Sequence, residues 1–200
     1  MTQVLVTGFE PFGGFDTNPS QQVAQQLAGR DGWHTATLPV DFAECGKQVA
    51  KLIAAHQPQV VLCLGLAGGT SALELERVAI NLIDARIPDN VGSAPVDEPV
   101  IAGAPDAYFT TLPVKAMARA INDVGVPAEL SLSAGTYGCN AVMYTALHAA
   151  TATQGVRAGF MHLPTDDVIS VPDAARAVVA AVDCALATDV DEIVAGGTLH

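Results

Sequence analysis

Residues 59–67, QVVLCLGLA, carry no charge and are apolar at almost every position. A strand with one wet face alternates apolar and polar side chains, so an unbroken apolar run must be covered on both faces. The segment 3–8, QVLVTG, reads the same way. Two such strands require helices on both sides of a sheet, and the chain supplies them in alternation. NPSQQVAQQLAGR (18–30) offers Asn18 as a cap and Pro19 at the first helical position. FAECGKQVAKLIAAH (42–56) puts Val49, Leu52 and Ile53 on one stripe, PVKAMARAINDVG (113–125) ends at Gly125, and PDAARAVVAAVDCALA (172–187) opens with proline. Between them, WHTATLPV (33–40), ALELERVAINLI (72–83), AELSLS (128–133) and RAGFMHLP (157–164) read as strands. The expected fold class is α/β: a three-layer α/β/α single domain over 1–200, with a mostly parallel, twisted sheet whose ligand site lies at the strands' carboxyl ends.

Half of the 200 residues are apolar, enough for one domain that buries about 70% of its unfolded surface. A net charge of -12, with only nine scattered Lys and Arg, argues against a nucleic-acid or anionic-membrane partner. The start MTQVLVTG has no basic leader pattern, and no apolar run reaches the roughly 18 residues of a membrane span, so a cytoplasmic protein is expected. The cysteines at 45, 63, 139 and 184 stand singly, which suggests neither a disulfide framework nor a zinc site.

One of these cysteines falls where a buried structural thiol is a poor choice. In SLSAGTYGCNAVMYTALHAA (131–150) a strand ends, Gly135 and Gly138 permit a sharp turn, and a helix starts near Asn140. Cys139 therefore sits at a strand-to-helix corner, expected at the carboxyl edge of the sheet, where N–H groups and the helix dipole face its sulfur. A thiol nucleophile needs an imidazole to hold it as thiolate and protonate the leaving group. His148 is nine residues on, about 100° each, so it lies on the opposite helix face and roughly 13 Å away. His56 at a helix end, His34 beside Trp33, and the terminal His200 read as surface groups. His162 ends a buried strand at the carboxyl edge; it is either a hydrogen-bonded core histidine or the base. The base needs a group to fix its tautomer, and Glu76, Asp84, Asp89, Asp166 and Asp167 are candidates. Glu76 follows LEL in a partly apolar strand, so its carboxylate either faces water at an edge or is held inward for a purpose.

These residues sit in motifs that resemble those of pyroglutamyl peptidase type I, a cysteine exopeptidase family. The resemblance covers nearly the whole chain: VLVTGFEPFGGFDTNPS, GLAGG, LERVAINLIDARIPDNVG, TLPV, SAGTYGCN and GFMHLP occur in the family's order. It implies a Cys139, His162 and Glu76 triad, a substrate and oxyanion region that includes Phe9, Phe12, Asn18 and Arg86, and no metal or organic cofactor. It further implies peptide substrates with N-terminal pyroglutamate and a homo-oligomer such as a tetramer. Two positions depart from the family pattern. Glu74 stands where Ser or Thr is more usual, adding a second carboxylate near Glu76. Gly138 replaces a larger apolar residue, which would widen the pocket. A nucleoside-phosphorylase-like enzyme is a weaker alternative, since the Gly-rich loop lacks phosphate-binding spacing. A binding module without turnover would be expected to lack a triad member, and none is missing.

Overall fold

A computed structural model describes residues 3–197. Strand β1 (Val4–Phe9) is buried along its whole length and leads through the FEPFGG loop to helix α1 (Pro19–Gln26). Asn18 caps α1: its Oδ1 accepts from the Ser20 N–H at 3.0 Å, and Pro19 fills the first turn. Gly8 is obligatory there, because a Cβ at this position would lie 2.1 Å from the Ser20 carbonyl oxygen. Then follow β2 (Trp33–Leu38), α2 (Cys45–His56) and β3 (Val60–Leu66). Beyond β3 come β4 (Leu73–Glu76), β5 (Val78–Ile80), β6 (Ala107–Phe109) and α3 (Val114–Asp123). The chain closes with β7 (Ala128–Ser131), α4 (Gly138–Thr151), β8 (Arg157–Leu163) and α5 (Val171–Ala187).

Six strands form one sheet in the order β2-β1-β3-β8-β4-β7. All neighbours are parallel except β4 and β8, which run antiparallel with Glu74 opposite His162 and Leu75 opposite Met161. Alternation along each strand separates two apolar layers. Val4, Val6, Leu62, Leu64, Leu73, Leu75 and Met161 pack against α1, α3 and α5. Leu5, Phe9, Val61, Cys63, Ala158 and Phe160 pack against α2 and α4. The expected three-layer, mostly parallel fold is what forms. Among the described residues no helix is long and apolar enough to cross a membrane.

One expectation is corrected. The segment 72–83 is not one strand: Arg77 divides it, and β5 leaves the main sheet to pair antiparallel with β6 in a separate ribbon. The strand before the Cys139 corner runs against the central strands. β7 is parallel to β4 and therefore antiparallel to β8. It ends well inside the sheet, and residues 132–137 bring the chain back to the carboxyl ends of β3 and β8.

Candidate active site

Side-chain parity builds the site. Ala158, Phe160 and His162 share one face of β8, so His162 turns toward α4. On β4, Leu73 and Leu75 enter the opposite layer, which turns Glu74 and Glu76 to that same α4 side. Glu76 is diagonal to His162 in the ladder, within reach of long side chains. Its Oε1 lies 2.7 Å from His162 Nδ1, and Glu76 is wholly buried, His162 only 7% exposed. Cys139, the second residue of α4, meets His162 in a cavity of about 460 Å³.

The sulfur has room because of a glycine. A Cβ on Gly65, which pairs with His162 across β3 and β8, would lie 2.7 Å from Cys139 Sγ and 2.7 Å from the Phe160 ring. Gly65 thus clears the space that the thiol occupies. Tyr137 takes the N-cap position of α4 without a capping side chain, and the first helical bond runs from Ala141 N–H to Tyr137 C=O. The N–H groups ahead of it, around Cys139, remain for a ligand. Asn140 is buried and fixes this turn in place. Its Oδ1 accepts from Ile80 N–H, and its Nδ2 donates to the carbonyls of Ile80 and Leu82.

Burial works against charge on the His162 ring, but the neighbouring Cys139 sulfur, and after it the Glu76 carboxylate, favour the imidazolium more strongly. The balance raises the pKa to about 10. Cys45 and Cys63 have the opposite fate. Both are buried, and burial pushes their thiols up to about 12. Cys139 is the cysteine that is both partly exposed and beside an imidazole.

The cavity wall combines distant segments: Phe12, Leu66, Asp84, Arg86, Ile87, Thr136 and Tyr137. Behind the sulfur an apolar recess lies between Phe9, Phe12, Val40, Leu66, Tyr137 and Gly138. Phe12 stacks on Tyr137 at 6.0 Å, and Tyr137 meets Phe42 edge-on at 4.9 Å. Glu10 holds the loops together by accepting from Val40 N–H and Asn90 Nδ2. Asp89 spends its carboxylate on the N–H groups of Phe42, Val91 and Ser93.

A family model described as pyroglutamyl peptidase matches residues 2–193. The chain belongs to the pyroglutamyl peptidase family. It is 46% identical, over 214 aligned positions covering all of both chains, to a pyrrolidone-carboxylate peptidase of Escherichia fergusonii, and 44% identical over the same span to one of Clavibacter michiganensis. Among solved structures it is similar to pyroglutamyl peptidase I from Bacillus amyloliquefaciens (TM-score 0.91, 35% identity, 97% of this chain and 99% of that one). A second is the pyrrolidone carboxyl peptidase from Thermococcus litoralis (TM-score 0.91, 37% identity, 98% and 99%).

In this pyroglutamyl peptidase family member, the structure brings Cys139, His162, Phe12 and Arg86 to one cavity, with Arg86 exposed on its wall and Glu76 wholly buried, joined to it through His162. Phe9 is the buried end of β1, 3% exposed, and lines the recess behind the sulfur. Asn18 stands apart from the cavity. Its Oδ1 serves Ser20 and its Nδ2 donates to Glu10 C=O, so it shapes the loop rather than facing a substrate. His148 is engaged by the Tyr108 hydroxyl at 2.8 Å, and His34 and His56 stack on each other at 3.9 Å, half-buried rather than free on the surface. His200 lies outside the described residues. Of the other carboxylates weighed as orienters, Asp84, Asp166 and Asp167 are exposed. Sequence reading missed Gly65, Leu66, Tyr137, Asn140 and the Glu10–Asn90 tie. Only Gly65, a glycine inside an apolar strand, carried a local signal.

Proposed function

We propose that the chain is a cysteine-type pyroglutamyl peptidase that hydrolyses the bond after an N-terminal pyroglutamyl residue through Cys139, His162 and Glu76. The observation that carries this reading is the buried Glu76–His162 pair beside a thiol at the mouth of an apolar recess. Cys139 sulfur attacks the carbonyl carbon, and the carbonyl's electron pair moves to its oxygen, which the N–H groups at the start of α4 and the Arg86 guanidinium receive. His162 gives its proton to the leaving nitrogen as the C–N bond breaks. Water then loses a proton to the same imidazole and attacks the thioester, releasing pyroglutamate and the thiol. Glu76 holds the ring in one tautomer and stabilises its charged form.

The apolar lining beside the sulfur bears on the choice of acyl group. A pyroglutamyl residue has no free α-amine, and no carboxylate lines the recess to receive one. The recess behind the sulfur, about 10 Å³, is too small for a ring, so a lactam would lie in the 460 Å³ cavity against Phe12, Leu66 and Tyr137. A prolyl or glutaminyl ammonium packed on the same apolar walls would be unpaired. The test compares chromogenic amides of pyroglutamate, proline and glutamine. Hydrolysis of the pyroglutamyl amide alone, lost in Cys139→Ala, is the expected result. Absence of that hydrolysis in the intact protein, or its persistence in Cys139→Ala, would overturn the reading.

A further inference from the structure

The active face of the sheet carries one carboxylate that the hydrolytic mechanism does not use. Glu74 stands directly across the ladder from His162, and parity turns it to the same side as Glu76. Oxygen atoms of Glu74 and Glu76 and a ring nitrogen of His162 all lie within 4.8 Å of one another. Glu76 is wholly buried; its Oε1 meets the imidazole, but its Oε2 has no hydrogen-bond partner. An unpaired carboxylate oxygen at that depth is costly, and a cation is the partner that satisfies it best. Among the described residues neither glutamate forms an ion pair with Lys or Arg. Access exists from the Glu74 side, where this half-buried residue lines an open hollow with Ala67, Gly68, Gly69 and Thr70.

We propose that Glu74, Glu76 and His162 form a binding site for a divalent cation of the zinc class, and that its occupancy switches the peptidase off by withdrawing the imidazole from Cys139. One imidazole nitrogen and two carboxylates, with a fourth position open to water, are a donor set suited to zinc. Calcium and magnesium prefer more oxygen ligands or retained water. Ligand atoms about 2.0–2.2 Å from a shared tetrahedral ion lie roughly 3.3–3.6 Å apart. Glu76 and His162, 2.7 Å apart across their shared proton, part by roughly 0.6–0.9 Å when the ion replaces that proton, and the half-buried Glu74 side chain closes the remaining distance. Coordination at Nδ1, the nitrogen beside Glu76, displaces the proton held there, and the one remaining ring proton then sits on the other nitrogen. The ring can then no longer take up the Cys139 proton to form the thiolate and the imidazolium that protonates the leaving amine. Binding at this site does not depend on the peptidase reading; inhibition does.

Zinc titrated into Cys139→Ala protein by calorimetry separates this site from simple thiol–imidazole capture. Saturable binding should remain in Cys139→Ala and weaken at least tenfold when Glu74→Gln is added, with circular dichroism confirming that both variants fold. No saturable binding in Cys139→Ala, or equal affinity with and without Glu74, would overturn the site. In the intact enzyme, cobalt(II) should inhibit without a near-ultraviolet thiolate-to-metal band, and the appearance of that band would place the metal on Cys139 instead. Zinc inhibition, measured relative to each protein's own metal-free rate and reversed by EDTA, should require at least tenfold more zinc in Glu74→Gln. An unchanged requirement counts against the switch. Should the protein fail to cleave pyroglutamyl amides at all, the calorimetric result still decides the site.

Discussion

The two faces of the same six-stranded sheet have been put to different uses. The face under α1, α3 and α5 is aliphatic throughout, from Val4 and Val6 to Leu64, Leu75 and Met161. The face under α2 and α4 holds every polar strand side chain that is buried among the described residues: Thr7, Glu76 and His162. Neighbours in sequence therefore do unrelated work. Met161 fills a core while His162 faces a thiol, and Leu75 packs while Glu76 orients a ring. The pleat lets one face be dry enough to hold the sheet together while the other carries groups that hydrocarbon could not satisfy.

Exchanging neighbours across the pleat gives the largest contrast. His162→Ala should lower kcat per folded molecule by several orders of magnitude, and because it leaves the buried Glu76 carboxylate without its partner it should also cost about 3–5 kcal/mol of stability. Met161→Ala should cost a similar amount of stability, about 2–5 kcal/mol, but leave kcat/KM per folded molecule unchanged. Steady-state rates with a pyroglutamyl amide, corrected to the folded fraction by denaturant unfolding, would erase the contrast if Met161→Ala lost rate per folded molecule as His162→Ala does. Limiting iodoacetamide should label Cys139, and activity should fall in proportion; inactivation with Cys139 unmodified would remove the nucleophile from this face.

Gly65→Ala tests the same face more finely. Its new Cβ would contest the space of Cys139 Sγ, and a displacement of even 1 Å costs on the order of 100-fold in rate. Iodoacetamide labelling should slow in parallel. Glu76→Gln should cost less, because the amide still meets Nδ1 but no longer stabilises the charged ring. Since the carboxylate helps hold the imidazole up to about 10, its loss lowers that pKa. The alkaline limb of kcat/KM, where the imidazolium is lost, should move to lower pH, and an unmoved limb would show that Glu76 acts only through packing. Smaller still are the two phenylalanines. Phe12→Ala should raise KM with little change in melting temperature, whereas Phe9→Ala should lower the melting temperature because Phe9 belongs to the core. A Cβ on Gly138 would meet only the Phe9 ring, at ordinary contact distances of 3.8–4.0 Å, so Gly138→Ala should narrow acyl specificity slightly and leave kcat within a few-fold.

Most of this architecture was legible locally. Apolar runs marked β1, β3 and β8, Asn18–Pro19 marked the start of α1, and Gly125, at φ 80°, marked the end of α3. The candidate triad was legible in kind, because a thiol, an imidazole and a carboxylate stood out among few chemically suitable residues. What the sequence hid is set by pairing between distant segments. Nothing in LELE states that β4 runs against β8, and nothing in SAGTYGCN states that the preceding strand runs the other way. The packing of Asn18 and Phe9 was hidden for a related reason. Both belong to motifs of the binding loop, yet Asn18 satisfies helix and loop backbone and Phe9 completes a strand.

The tie between Asn140 and the backbone of Ile80 and Leu82 spans about 60 residues of chain, and the Glu76–His162 pair spans 86. Neither can close until most of the polypeptide has been arranged, and distant closures are slow relative to local ones. Trp33, the single tryptophan, reports instead on β2, which pairs with β1 only about 29 residues away. During refolding its fluorescence should reach the native value before hydrolysis returns, and the interval between the two would time the arrival of the last strand.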